Sequence, residues 1–121
     1  MNEKGERVGD VNLCVHSARA LAIAAENALR LAATLTPTTH RHFLWGDDGE
    51  PWCRCPDCRS LTDSDQALLV ENHLVRALKR ADPKATLAHL AYANTLAPPA
   101  TVRSPASSSN SRHSRCASAV R

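Results

Sequence analysis

The 121-residue chain has a formal charge of +3, but residues 101–121 hold four arginines and no acid, leaving the first 100 residues with 11 basic against 12 acidic side chains. A body so near neutrality lacks the electrostatic footprint for nucleic acid, which is not an expected partner. No run of 18 apolar residues offers a membrane span, and the charged start from Met1 to Arg7 lacks the apolar stretch of a secretory signal, so the address expected by default is cytoplasmic.

Aromatics are 3% of the chain and much of its 43% hydrophobic content is alanine, which predicts a single small domain with a thin core. Residues 1–10 are polar and are expected to fray. In the segment that follows, Val11, Leu13 and Val15 alternate with Asn12 and Cys14, which reads as a short extended stretch. Ser17 is placed to cap a helix running to about Leu35, with Leu21, Ala24, Ala28, Leu31 and Leu35 as its apolar stripe. Thr36-Pro37 ends it, because the residue before proline avoids the helical region.

His40 to Trp45 is short, bounded by breakers, and reads as a strand. Residues 46–61 form a long loop. Thr62 or Asp63 then opens a second helix with capping-box spacing to Asp65 or Gln66. Its predicted buried stripe is Ala67, Val70, Leu74, Ala77 and Ala81, with Asn72, Arg76 and Lys79 on the opposite side. Asp82-Pro83 closes it. Lys84 to Leu96 fits either a third helix begun by Pro83 or a buried strand from Thr86 to Tyr92; so short an apolar run does not decide between them. From Pro98 onward the chain turns to Pro, Ser, Arg and Ala, so residues 98–121 are expected to be disordered.

The loop after the first strand carries the chemistry. Gly46-Asp47-Asp48-Gly49 sets two carboxylates where a strand gives way to a loop, a position at which paired acids divide general-acid and ionised roles. The same residues also make an ordinary polar turn, with Asp and Gly serving the backbone. Cys53-x-Cys55-x-x-Cys58 is a more specific pattern. Three thiolates this close converge on a soft cation such as structural zinc, with a fourth ligand to come from Cys14, His16, His40 or His42. A local disulfide and three reduced thiols packed around Trp52 stay open as alternatives. His73 reads as solvated, and His89 as a satisfied core or strand histidine. Tyr92 and Asn94 fall on the rim of the acid pair if Thr86 to Tyr92 is a strand.

Three stretches, Phe43-Leu44-Trp45-Gly46-Asp47-Asp48-Gly49, Trp52-Cys53-x-Cys55-Pro56-x-Cys58 and Leu90-Ala91-Tyr92-Ala93-Asn94-Thr95, resemble the bacterial domain-of-unknown-function 4838 family of glycoside-hydrolase-like barrel proteins. The resemblance runs from Asn12 to Pro99 and implies an α/β fold, a partial (β/α) barrel over residues 11–97 with about two strand–helix units. It favours a strand at Thr86 to Tyr92 and implies a carbohydrate partner, with Trp45, Tyr92 and Asn94 as substrate contacts. The Asp-Asp ending also resembles barrel hydrolases that use substrate-assisted catalysis on N-acetylhexosamines. Carried over, Asp47 orients the acetamido group and Asp48 is the general acid. A whole barrel takes about 250 residues, so the chain is expected to be a fragment, inactive alone, with the rest of the barrel missing and the tail translated out of frame. The competing expectation is a small zinc-stapled interaction module without catalytic activity.

Overall fold

The computed structural model describes residues 2–9, 11–35, 37–47 and 49–102, and the elements along them are α1 (Ala18–Leu35), β1 (Arg41–His42), α2 (Asp63–Ala81), β2 (Thr86–Leu87) and a 3-10 turn at Ala93–Thr95. Both helices start as local chemistry dictates. Ser17 Oγ accepts the N–H of Ala20 at 3.3 Å. At α2, Thr62 Oγ1 accepts the N–H of Asp65 at 3.0 Å while Asp65 Oδ2 accepts the N–H of Thr62 at 3.3 Å, a reciprocal capping box. Asp63 and Asp65 lie in the first turn of α2 and Lys79 and Arg80 in the last, complementing the helix dipole at each end.

The barrel-fragment expectation is overturned. The chain is helix-rich, and its sheet is a single parallel pair of two-residue strands in the register Arg41↔Thr86 and His42↔Leu87. Neither expected strand reaches its predicted length, and the stretch around Val11, Leu13 and Val15 joins no ladder. The reason is visible at the strand ends. Past His42 the chain leaves the ladder, and Trp45 Nε1 donates to the carbonyl of Ala88 at 3.0 Å, a side chain replacing a strand bond. Downstream of β2, Ala93 takes φ +46° and turns the chain into the 3-10 element. Two such short strands bury too little to organise a domain.

What organises it is α2. The helix packs against α1 and also contacts β2 and the 3-10 turn. It is buried beyond its apolar stripe: Ser64, Asp65, Gln66, Glu71 and Asn72 join Ala67, Val70, Leu74, Ala77 and Leu78 inside. Asn72, read from the sequence as facing away from the core, is 6% exposed. On α1 the buried positions are Ala25 and Ala28, whereas Leu31 and Leu35, predicted in the stripe, stand 47% and 72% exposed.

The terminal segment crosses the start of α2. Ser64 Oγ donates to the carbonyl of Ala97, and the N–H groups of Thr101 and Val102 both donate to Asp65 Oδ1 at 2.8 Å. The expectations for the tail beyond this point fall on residues 103–121, outside the described residues.

The contiguous core consists of eleven residues, of which four are alanines and three are Cys53, Cys55 and Cys58. Its large apolar side chains are Val15, Trp52, Val70 and Leu74, and the leucines packed against it, Leu13, Leu21, Leu29, Leu44, Leu61, Leu69 and Leu87, are only partly buried, so much of the apolar burial is incomplete.

Candidate metal centre

The Cys-rich loop folds back on itself between Cys55 and Leu61. The N–H groups of Cys58 and Arg59 both donate to the Cys55 carbonyl at 3.0 Å, and Leu61 N–H donates to the Cys58 carbonyl at 2.9 Å. This turns Cys55 and Cys58 towards a common point. The N-terminal segment is zipped to the same loop: Asn12 N–H donates to the Pro51 carbonyl at 2.9 Å, which carries Cys14 to the cluster.

Four sulfurs meet there. Cys14, Cys53, Cys55 and Cys58 have their Sγ atoms all within 4.8 Å of one another, with Cys14 at 3.7 Å from Cys58 and 3.9 Å from Cys55. None is bonded to another, so the disulfide alternative is not the arrangement found. A tetrahedral site with Zn–S bonds of about 2.3 Å has S···S edges of about 3.8 Å, which the Cys14–Cys58 and Cys14–Cys55 separations match, and the four sulfurs together are close enough to hold a metal ion. Cys53 and Cys58 are fully buried, Cys55 is 4% exposed, and Cys14 forms the half-buried side.

The electrostatics fit the same reading. Burial pushes Cys58 well above the usual thiol range, helped by its contacts with the neighbouring thiols. Burial also raises Cys14, against the hydrogen bonds that favour its thiolate. Burial opposes the thiolate of Cys55 too, but hydrogen bonds from Cys58, Cys53 and the Asp57 backbone win, and its pKa falls to about 7. Without a cation, burial disfavours the thiolates of Cys14 and Cys58; a divalent ion would stabilise four thiolates together. His16 Nδ1 lies 3.2 Å from Cys58 Sγ, the position of an outer partner that orients a ligand.

Of the four candidates for the last ligand, the structure brings Cys14 into the cluster. His40 and His42 lie elsewhere. His40, with φ +57°, sets its Nδ1 2.7 Å from Asp82 Oδ2, and both histidines line a separate cavity of about 340 Å³. The carboxyl of Asp82 is held below its usual range by the His40 hydrogen bond.

The acid loop is arranged around its backbone. Asn12 Oδ1 accepts the N–H of Asp47 at 2.7 Å, and Asn12 Nδ2 donates to the carbonyls of Asp47 and Glu50 at 3.2 and 3.0 Å. Asp47 is exposed, and Asp48 lies outside the described residues. A Cβ on Gly46 would meet Asn12 Oδ1 at 2.6 Å and Trp52 Cζ2 at 3.0 Å, and Gly49 takes φ +76°. Asn12 has little freedom to yield, since its amide holds three hydrogen bonds. Gly46→Ala is accordingly expected to destabilise the chain by about 1–3 kcal/mol, read as a lower urea midpoint at unchanged slope.

Trp45, Asp47, Tyr92 and Asn94, singled out from different parts of the sequence, line one cleft of about 40 Å³. Ligand pockets for small molecules run to about 300–1,000 Å³, well above the volume of this cleft. Tyr92 and Asn94 reach it from the coil and 3-10 turn after β2, not from a strand end.

Sequence reasoning passed over three residues. Asn12, which braces the acid loop, carries no signal at a distance. Asp65 was legible as a cap, though not as the acceptor for the terminal strap. Glu71, 8% exposed and 2.8 Å from His89 Nδ1, falls between Ala67 and Leu74 at helical spacing, which places it on the buried side. Burial raises its pKa against the pull of His89.

No protein-family model matches the chain, and neither a curated protein nor a solved structure shows significant similarity to it.

Proposed function

We propose that the chain is a small zinc-stapled interaction module without catalytic activity of its own. The observation that carries this reading is the convergence of four sulfurs from two distant segments to within 4.8 Å of one another. Zinc suits the donor set, since soft thiolates favour it and a four-cysteine site is closed to substrate. Cys14, Cys53, Cys55 and Cys58 would hold the ion, fastening the N-terminal segment and the loop against α1 and α2. The thin core supports the same reading, because a structural metal supplies the folding energy that few large apolar side chains leave missing.

The test is to purify the full chain under reducing conditions and titrate its thiols with a mercurial reagent while a chromophoric chelator reports released metal. One zinc per chain, freed as four of the five cysteines react, is the expected result. Cobalt substitution should give the intense visible bands of tetrahedral thiolate coordination. A chain that folds cooperatively with no metal, and takes up none when zinc is supplied, would rule the reading out.

A further inference from the structure

The chain has four aromatic residues, and three of them are on its surface. Phe43, Trp45 and Tyr92 are 59%, 47% and 55% exposed, while Trp52 is buried. A domain short of large apolar side chains gains nothing in stability by leaving aromatics in water, so their exposure calls for another explanation. Trp45, Tyr92 and Trp52 line the 40 Å³ cleft, and its charged lining residues are all acidic: Asp47, Glu50 and Glu71. Neither lysine nor arginine is among the described residues that line it.

The walls are held in place. Trp45 is fixed by its indole bond to Ala88, and the Phe43 ring meets it edge-on with centroids 6.0 Å apart. Asn94 Nδ2 donates to the Glu50 carbonyl at 3.1 Å, tying the turn that carries Tyr92 to the acid loop. The Glu71 carboxylate is taken up by His89, and the other acids among the described lining residues are Asp47 and Glu50. A space of this size takes a group on the order of one or two waters in volume, which fits an ammonium head and excludes a ring. Aromatic and acidic residues around a water-sized space, with no lysine or arginine among the described lining residues, are the chemistry that recognises an alkylammonium.

The geometry points to this cleft as a docking site for a lysine side chain on a partner polypeptide, with Trp45, Tyr92 and Trp52 enclosing the ammonium and Asp47 and Glu50 balancing its charge. This deepens the reading of the chain as an interaction module by giving the partner a chemistry. It does not depend on which metal fills the cysteine site.

The experiment uses the full chain as purified and follows tryptophan fluorescence during titration with a short neutral-flanked peptide bearing one lysine. The same peptide with that lysine acetylated, and an N-acetylglucosamine trimer, serve as the other arms. Saturable binding of the lysine peptide is expected. It should weaken about tenfold in Trp45→Ala and in Glu50→Gln, fall with added salt, and vanish on acetylation. Glu50→Gln keeps the shape of the side chain, so a loss there is not a loss of fold. Equal binding of the acetylated peptide, indifference to both substitutions, or saturation by the trimer in place of the peptide would each overturn the assignment. Metal content and helical signal of the same sample report on the staple separately. A folded, metal-bearing chain that ignores the lysine peptide refutes this inference alone, and a metal-free chain that binds it refutes the staple alone.

Discussion

Cys58→Ser is expected to yield a chain that binds no zinc stoichiometrically and shows no cooperative thermal transition. Cys58 is fully buried, is 3.7 Å from Cys14, and lies within 4.8 Å of all three partner sulfurs. Serine offers a hard, neutral oxygen where a thiolate is needed, and it shortens the bond to the donor atom. Structural zinc in small peptides binds with about 10–16 kcal/mol of apparent free energy, whereas whole domains are stable by about 5–15 kcal/mol. If zinc occupies the site as proposed, losing it would therefore remove an amount comparable to the whole stability of such a fold. Circular dichroism should show weakened helical signal, and chelation of the unmodified chain should give the same spectrum. Cys14→His is the instructive companion. It replaces one thiolate with a nitrogen donor that zinc accepts, at the half-buried side of the cluster, and should retain metal at lower affinity. A Cys58→Ser chain with an unchanged melting curve would show that the sulfurs meet for packing reasons only.

Asp65→Ala is expected to cost about 2–4 kcal/mol, because one carboxylate closes two structural connections. Its Oδ2 completes the capping box with Thr62, and its Oδ1 accepts the N–H groups of Thr101 and Val102. Burial works against the ionised form, yet the donors from Thr101, Val102 and Thr62 hold its pKa well below the usual carboxylate range. A depressed folded-state pKa means the contribution is fully present above the unfolded value, near 3.8, and is lost as pH falls from there towards the folded value. Protonation of the cysteines would also release any metal held there, so the informative quantity is the difference between wild type and variant. That difference should shrink below about pH 4. Hydrogen exchange gives a second check: the amides of Thr101 and Val102 should lose protection in the variant while the centre of α2 keeps its own. Unaltered exchange at those two amides would show that the strap is held by something other than Asp65.

Both results bear on how much of this molecule can be read from its residues. The two helices are legible because their signals are local. Ser17 and Thr62 sit one step before the helices begin, and Pro37 and Pro83 stand just past their ends. The Cys53-x-Cys55-x-x-Cys58 cluster is legible for the same reason, since three ligands within six residues meet whatever the rest of the chain does. The strands are where local reasoning failed. His40 to Trp45 and Thr86 to Tyr92 look like strands as isolated runs, but a strand's length is set by the partner available to it, and each found only two residues of ladder. The exposure of Leu31 and Leu35 and the burial of Asn72 have a similar origin, since a stripe marks which residues prefer burial and not how far the covering elements extend.

By itself, then, the sequence determined the two helices, their caps, the three-cysteine knuckle and the poverty of the core. Tertiary structure alone decided that Cys14 completes the sulfur cluster, that Asn12 makes the Asp47 loop a braced turn, and that Trp45 and Tyr92 share a cleft. These pairs are 35 to 47 residues apart. Backbone propensity and side-chain periodicity act over a few residues, so they carry no information about such pairs. Only the packing of α1 on α2, with the loop and the segment from Ala97 to Val102 folded over them, brings the partners together.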